Sequence, residues 1–323
     1  TEDKHPSAAT PSGSAMYCWG KNDHAQCGQG HQDNPVKAPE RVAVVPLQYA
    51  LTSIAVGESH ACAATADDAV LCWGHNNYGQ LGDGTTTNEY ESFVLVESQN
   101  GTNPPTPAPS PLPTPRPSDT YYGTASITAG YDTTFLLNEY GGVYALGRDS
   151  NGELGHTDDS VAHTSTARRV DDRVKHVAKL VTANSAIAGG YDYERATAAI
   201  TEDGQVWIWP ESAFFYSVGS AYFANQRGVV EATGHFSGPV VDVAMSSMHG
   251  GGQYHHICGL LVDGRVECWG RNGEGQCGRG DTNPHDVTPE DKYSNVRGLP
   301  NASRLEGGMT HLSATLSGAC AGN

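Results

Sequence analysis

The stretch from Cys72 to Gly84 reads CWGHNNYGQLGDG, and a near copy, CWGRNGEGQCGRG, occupies residues 268–280. In each copy a Trp-Gly pair ends one segment, and a Gly-Gln-x-Gly phrase follows a few residues later. Weaker versions of the second phrase lie at 25–28 and 152–155. A phrase that returns after tens of residues is typical of proteins built from stacked or radially arranged repeats.

Five positions align at the end of the tryptophan strand: Gly20, Gly74, Gly147, Pro210 and Gly270, at intervals of 54, 73, 63 and 60 residues. The strong copies share one order: an apolar strand, a short second strand, a tight turn, the tryptophan strand and the Gly-Gln phrase. Such a unit cannot bury both faces alone, and radial closure with its neighbours protects the strand edges. The sequence therefore predicts an all-β fold, a β-propeller of about five blades by repeat count.

Stretches 55–85 and 250–281, which contain the two strong copies, resemble the repeats of the regulator of chromosome condensation family. They are most similar to its secreted, cysteine-containing members, which have an H-x-C…C-W-G pattern. The resemblance covers nearly the whole chain outside the tails and a proline-rich insert. It implies a propeller that usually closes with seven blades, although this chain has five anchors, and that acts as a protein-binding platform.

The two ends of the chain carry complementary halves of a repeat. Residues 303–316 form a first half without a tryptophan strand, and residues 16–20 form a second half without a first. We expect them to join as one composite blade that closes the ring, although pairing with neighbouring copies is the alternative. The predicted domains are a flexible tail at 1–15, a single propeller at 16–317 and a C-terminal tail at 318–323.

Eight cysteines, with no Cys-x-x-Cys pair among them, favour disulfides in an oxidising compartment over a zinc site. Cys62 and Cys72 are ten residues apart around a turn at Asp67-Asp68, and Cys258 and Cys268 are ten apart around Asp263-Gly264. Each pair should lie directly opposite across a hairpin, with a Cα separation of about 5.5 Å. The other hairpins replace both cysteines with apolar residues, namely Phe135 with Ala145 and Ala198 with Ile208.

The other four cysteines are Cys18, Cys27, Cys277 and Cys320, for which three pairings exist. In the composite blade Cys18 would face Ser313, which has no sulfur. Cys27 and Cys277 both take the repeat position of Leu81. A bond from Cys320 to Cys18 or to Cys27 would join the C-terminus to the first blade, and the sequence does not choose between them.

The insert at 103–118 alternates proline with other residues, which predicts a stiff, extended surface segment. Its composition resembles glycosylated stalks of extracellular proteins, while a docking motif and a plain spacer are the alternatives. The candidate O-glycosylation sites are Thr106, Ser110 and Thr114. The candidate N-glycosylation sites, in Asn-x-Ser/Thr sequons, are Asn100 and Asn301.

Composition limits the partners. The net charge is −17 with only 19 basic residues, which argues against nucleic acid. Solubility explains the acidity, and attraction of a basic partner is the alternative. No run approaches the roughly 20 apolar residues of a membrane helix. The chain begins at Thr1, so a leader was removed or lies outside this segment. The cysteines and the glycosylation signals lead us to expect a secreted or extracellular protein.

No catalytic, cofactor or metal motif is found. His60, His256 and His311 share one repeat position, which favours a structural role, and Trp73 and Trp269 are interpreted as packing residues. The Asp149–Glu153 stretch lacks the later acid of a calcium loop, so it is interpreted as a turn. Acidic pairs at 158–159 and 171–172 are interpreted as solvated surface. We therefore expect no enzymatic activity and no cofactor.

The leading hypothesis is a secreted, non-enzymatic module that binds a protein partner or assembles with copies of itself. The alternative is a glycan-binding or adhesion protein, and a propeller lyase or hydrolase is the least favoured. The candidate glycan platforms are Tyr121, Tyr122, Tyr191, Tyr193 and Phe214 to Tyr216.

Overall fold

A computed structural model describes sixteen segments of the 323-residue chain. They are 7–9, 16–46, 49–97, 123–150, 152–156, 162–183, 196–210, 228–245, 256–270, 272–273, 275–278, 280, 282, 294–295, 311–315 and 318–322. The chain divides into two compact units, Thr1–Ser150 with Asp158–Lys175 (unit 1) and Asn151–Thr157 with His176–Asn323 (unit 2).

Unit 1 contains three antiparallel sheets in which chain neighbours pair. The first has three strands: β1 (Ser7–Ala9), β2 (Tyr17–Gly20) and β3 (Val36–Arg41). The second has four: β4 (Leu51–Val56), β5 (His60–Thr65), β6 (Val70–Gly74) and β7 (Glu89–Leu95). The third also has four: β8 (Thr124–Ala129), β9 (Thr133–Asn138), β10 (Val143–Arg148) and β11 (His163–Arg169).

Unit 2 repeats this plan. One four-stranded sheet holds β12 (Val177–Ala183), β13 (Ala196–Thr201), β14 (Val206–Pro210) and β15 (Val230–Glu231). A 3-10 turn, Thr233–His235, leads to the next sheet, which holds β16 (Val240–Met245), β17 (His256–Leu261), β18 (Val266–Gly270) and β19 (Ser294–Asn295). A separate hairpin pairs β20 (His311–Thr315) with β21 (Gly318–Gly322).

Burial differs between inner and outer strands. Every residue of β5, β9, β13 and β17, the second strand of each four-stranded sheet, is buried. These strands read as runs of small and apolar residues because both of their faces are covered. The outer strand β3 is largely exposed, β7 has no buried residue, and both lack an apolar alternation. For that reason the repeat pattern in the sequence does not reveal a fourth strand.

The predicted anchors fall at equivalent places. In each four-stranded sheet the third strand contains the anchor residue, and Gly20 ends β2. The hairpin before it turns at a residue with positive φ, namely Asp68, Gly141, Gly204 or Gly264. Each of the five anchors therefore belongs to a separate sheet, as the repeat alignment predicts.

The two predicted cysteine pairs lie opposite each other across their hairpins. Cys62 faces Cys72 in the β5–β6 ladder, and Cys258 faces Cys268 in the β17–β18 ladder, so the predicted register is confirmed. The sulfur atoms are 2.12 Å and 2.00 Å apart, which is bonding distance. The Cα separations of 4.2 Å and 4.1 Å are shorter than the predicted value.

The hydrogen-bond alternation of the hairpin explains the shorter separation. Thr65 N donates to Ala69 O, and beyond the other end of the ladder His75 N donates to Ser59 O. Counting inward from either pair places residues 62 and 72 at a position without ladder hydrogen bonds. Opposed residues there have Cα atoms only about 4.5 Å apart.

The predicted composite blade is wrong in its strand pairing. β2 pairs with β1 and places Ala8, not Ser313, opposite Cys18. The C-terminal strand β20 pairs with β21 instead, so that Ser313 faces Cys320. Short hairpins close small loops, which costs less chain entropy than joining the two ends of the polypeptide. Strands β1 and β21 also lie within the segments 1–15 and 318–323, which the sequence interpretation assigns to tails.

Candidate interaction surface

The anchor glycines turn the chain sharply out of each sheet. Their φ values are 109°, 105°, 110° and 106° at Gly20, Gly74, Gly147 and Gly270, respectively. A Cβ at Gly74 would lie 2.6 Å from the carbonyl oxygen of Ser59, and one at Gly147 would lie 2.1 Å from that of Asp132. Glycine is therefore required by both conformation and space. The residues after Gly20 and Gly74, namely Lys21 and His75, each begin a loop at the end of their sheet.

Buried asparagines hold these loops in one shape. Two residues after the anchor, the Oδ1 atoms of Asn22, Asn76 and Asn272 accept hydrogen bonds from backbone N–H groups, each at 2.9 Å. The donors belong to Cys27, Leu81 and Cys277, respectively. All three asparagines are fully buried. The sequence interpretation missed them, although their fixed distance from the anchor is a visible signal.

The Gly-Gln phrase also ties one repeat to the next within unit 1. Gln26 Nε2 donates to the backbone oxygen of Glu58 at 3.1 Å, and Gln80 Nε2 donates to Asp132 Oδ1 at 3.1 Å. Leu81, next to Gln80, is fully buried. The phrase is thus both a turn and a bridge to the following sheet.

Polar side chains, all partly exposed except the buried Asp132, form a line across these loops. The polar row, as we name it, consists of Lys21, Asp23, His24, Glu58, His75 and Asp132. Lys21 Nζ lies 3.1 Å from Glu58 Oε1 and 3.5 Å from Asp23 Oδ2. The ring of His24 lies edge-on to that of His75, with the centroids 4.8 Å apart. The row therefore joins charged groups and imidazoles from three successive sheets.

The next contacts extend the row to the third sheet. Gln80 Nε2 lies 3.1 Å from His75 Nδ1, and His75 Nδ1 lies 3.9 Å from Asp132 Oδ1. On the same loops, the Arg148 guanidinium lies over the Tyr78 ring at 5.5 Å from its centroid. Lys21, His75 and Arg148 each follow an anchor glycine, so the repeat itself places a basic or imidazole side chain at this point.

Burial and neighbouring charges fix the protonation of the row. Burial raises the pKa of Asp23, but hydrogen bonds from Gln26 and His24 and the charge of Lys21 hold it below its ordinary value. Burial lowers the pKa of Lys21, but Glu58 and Asp23 raise it above its ordinary value. Burial, followed by the charge of His24, lowers the pKa of His75. Near neutral pH the row thus offers Lys21 as a cation and Asp23 as an anion beside a neutral His75.

The repeated histidine beneath the row is structural, as predicted. His60 is fully buried, and its Nε2 lies 2.9 Å from Thr134 Oγ1. Burial, followed by the charge of His75, lowers the pKa of His60 to about 3. His256 is also fully buried, while the side chain of His311 lies outside the described residues. A neutral imidazole at this position completes the core of the hairpin.

The repeated tryptophans pack, as the sequence interpretation holds. Trp73 is buried in a core cluster of unit 1, and its Nε1 donates to Gln26 O at 3.0 Å. Trp269 is buried in a core cluster of unit 2.

Neither a metal site nor a membrane helix is found in the described part of the chain. Among those residues, no group of three or more His, Cys, Asp or Glu side chains is placed to hold a metal ion. In the same residues no helix is long and apolar enough to cross a membrane.

The Asp171 carboxylate, predicted as solvated surface, is instead buried and paired with Arg173 at 2.6 Å, whereas the side chain of Asp172 is exposed.

Several predicted features lie outside the described residues. They include the insert at 103–118 and both sequons, at Asn100 and Asn301. The other such residues are the O-glycosylation candidates Thr106, Ser110 and Thr114, the acidic pair Asp158 and Asp159, and the aromatic candidates Tyr121, Tyr122, Tyr191, Tyr193, Phe214, Phe215 and Tyr216. These assignments stay predictions.

Comparison with known sequences and structures identifies the repeat. Family profiles described as "Regulator of chromosome condensation (RCC1) repeat" match residues 14–64 and 67–137, and again 51–80 and 252–276. Human WBSCR16 superposes with a TM-score of 0.68 over 98% of this chain and 71% of its own, at 18% identity. Yeast RCC1 (Prp20), solved bound to Kap60, gives 0.62 over 98% and 63%, at 16% identity. At these identities the likeness shows the fold.

Curated relatives extend over much of the chain. The ultraviolet-B receptor UVR8 of Arabidopsis thaliana is 24% identical over 282 residues, which are 87% of this chain and 54% of the receptor. The mitochondrial RCC1 domain-containing protein RUG3, also from Arabidopsis thaliana, is 26% identical over 81% of this chain and 51% of its own length. The chain thus spans about half the length of these relatives.

The antiparallel sheets and their asparagine-held loops define a repeat protein of the β-propeller class. At residues 14–137 and 252–276 its repeats match those of the regulator of chromosome condensation family, RCC1, which confirms the resemblance at 55–85 and 250–281.

Proposed function

We propose that this chain is a secreted, non-enzymatic protein-interaction module, and that the polar row is where its partner binds. The row carries the proposal because it combines fixed geometry with partial exposure. The side chains of Lys21 and His24 are each 33% exposed and that of Asp23 is 38% exposed, and hydrogen bonds hold all three in place. Preorganised polar groups lose little conformational entropy when a partner binds.

The charge of the chain favours a basic protein segment as the occupant. The net charge is −17, and Asp23 stays ionised. Such a field attracts a cationic partner and raises its association rate at low ionic strength. The solved yeast relative has a protein, Kap60, bound to it, which is consistent with protein binding by this repeat class.

Affinity capture with paired variants tests this surface. The wild type and the double variant D23A/H24A are used to capture partners, and affinity is then measured for the identified partner. The matched control, K37A/E40A, changes exposed residues of β3 in the same sheet. We expect the row variant to lose about tenfold or more in affinity and the control to keep it. Equal affinity of all three proteins would contradict the proposal, as would binding unaffected by salt.

Secretion is the second part of the proposal. It is supported by the two cysteine pairs at bonding distance, because such bonds persist in oxidising compartments. An epitope-tagged protein expressed from its full-length gene should appear in the medium with Cys62 and Cys258 protected from alkylation in denaturant. Retention in the cytosol with both thiols reduced would overturn this part.

Self-association is distinguished by sedimentation. A sample whose mass does not increase with concentration supports a separate protein partner. Growth into larger assemblies that D23A/H24A abolishes would show that the row binds a second copy of the chain instead.

A further inference from the structure

The first sheet lacks the cross-strand cysteine that the second sheet has. Cys18 takes the place of Cys72 in the repeat, one residue before the tryptophan. Cys72 faces Cys62, whereas Cys18 faces Ala8. The sulfur of Cys18 therefore has no cross-strand sulfur to bond.

The loop of the first repeat supplies another sulfur. Cys27 takes the place of Leu81, and Leu81 packs in the same core cluster as Cys72. In the first repeat Cys27 and Cys18 share a core cluster in the same way, and both are free thiols in this structure. They are 0% and 2% exposed, respectively. The repeat geometry thus places two free thiols, both sealed from solvent, in one core cluster of the first repeat.

We propose that Cys18 and Cys27 form a third disulfide in the oxidised protein, replacing the cross-strand bond of the second repeat. In this step the two thiols lose two protons and two electrons to a disulfide oxidant, RSSR. One S–S bond forms in the protein, one breaks in the oxidant, and two RSH molecules leave. This pairing differs from both bonds to Cys320 that the sequence leaves open.

The buried thiols also indicate when the bond forms. The hydrogen bond to Cys27, together with burial, raises the pKa of Cys18, and the thiolate is the species that attacks a disulfide. Folded, reduced protein therefore reacts slowly. The bond forms while the loop is still open, during folding in an oxidising compartment, and is then protected by the packed core.

The bond would close a ring that carries part of the polar row. Residues 18–27 contain Lys21, Asp23 and His24, and the Cys27 thiol also lies 3.5 Å from the Lys21 carbonyl oxygen. A covalent ring limits the conformations open to this loop. The disulfide is inferred from the core alone and stands whether or not the row binds a partner.

Peptide mapping after oxidative refolding tests the bond. Reduced, denatured chain is refolded with oxidised and reduced glutathione, alkylated in denaturant and digested with trypsin. Cleavage after Lys21 separates the two cysteines, so the proposal predicts a linked pair of peptides, 5–21 with 22–37. Both peptides alkylated, or either linked to 305–323 or 272–279, would overturn it.

Thiol counts in two variants give an independent measurement. Cys27→Leu introduces the residue of the second and third repeats, and it should add one titratable thiol because Cys18 loses its partner. A count lower by one would mean that Cys27 is a thiol in the wild type and would refute the bond. Cys277→Leu, at the equivalent loop position, is the control and should keep the 5–21/22–37 linkage. If Cys27→Leu does not fold, Cys27→Ala gives the same count.

Discussion

The second and third sheets have the same strand order and the same hairpin register, yet they fill one buried position differently. Cys62 and Cys72 face each other in the second sheet, and Phe135 and Ala145 face each other in the third. All four are buried. A covalent bond and a large–small apolar pair are therefore exchangeable solutions at one place. The first restricts the unfolded chain, and the second fills volume in the folded one.

The largest expected effect is the loss of packing in the third sheet. Phe135→Ala should lower the free energy of unfolding by about 3–5 kcal/mol, because the side chain is only 1% exposed and its removal leaves a cavity in the core. Urea denaturation measures it. The control Tyr140→Ala, 56% exposed, should change stability by less than about 0.5 kcal/mol. If Phe135→Ala lowered the free energy of unfolding as little as the control does, packing at this position would not replace the disulfide of the second sheet.

The cysteine pair of the second sheet should have a smaller effect. Cys72→Ser opens a loop with a sequence separation of 10 residues, for which chain entropy predicts a loss of about 2–4 kcal/mol. Thermal unfolding of the variant and the wild type measures this loss, whereas adding reductant to the wild type measures it together with the loss of Cys258–Cys268. Equal melting temperatures of the wild type in the two conditions would show that the pair is not bonded.

The two sheets should also differ in their response to acid, because His60 aligns with Thr133. The pKa of His60 is about 3 in the folded chain, below the ordinary histidine value of 6.5. Above pH 6.5 the imidazole is neutral in both states and its contribution is fully present. As the pH falls below 6.5 only the unfolded chain binds the proton, and stability falls by at most about 1.4 kcal/mol per pH unit until pH 3.

His60→Thr tests this difference by introducing the residue of the third sheet. Urea midpoints measured between neutral pH and pH 4 should fall less steeply in the variant than in the wild type. Identical slopes in the two proteins would show that His60 is not the group that titrates on unfolding.

The smallest expected effect is at the hairpin turn. Asp68 has a φ of 67°, where the third sheet has Gly141 at 74°. Glycine adopts this left-handed conformation without the strain that a Cβ causes. Asp68→Gly should therefore raise the free energy of unfolding by about 0.5–1 kcal/mol. Ala66→Gly in the same turn is the control and should lower it. A destabilised Asp68→Gly variant would show that the aspartate side chain contributes more than its backbone costs.

Local chemistry explains what the sequence predicts well. The midpoint between two cysteines sets the hairpin register, and glycine at the anchors reports a close backbone approach. The outer strands β3 and β7 escape prediction because exposed residues carry no apolar period. The N-terminal pairing escapes it because Ser7–Ala9 has no pattern that marks a strand. The polar row joins residues from three sheets, and only their packing brings them together.

The hydrogen bonds that Gln26 and Gln80 make to the next sheet along the chain have a consequence for protein synthesis. Each buried amide finds its acceptor in the sheet that follows it in the chain, at Glu58 and Asp132. A sheet emerging from the ribosome therefore keeps an unmet donor until its successor arrives. Chains that stop at a repeat boundary would leave these amides to water and leave uncovered the apolar face that the next sheet packs against, so chaperones should recognise them as unfinished.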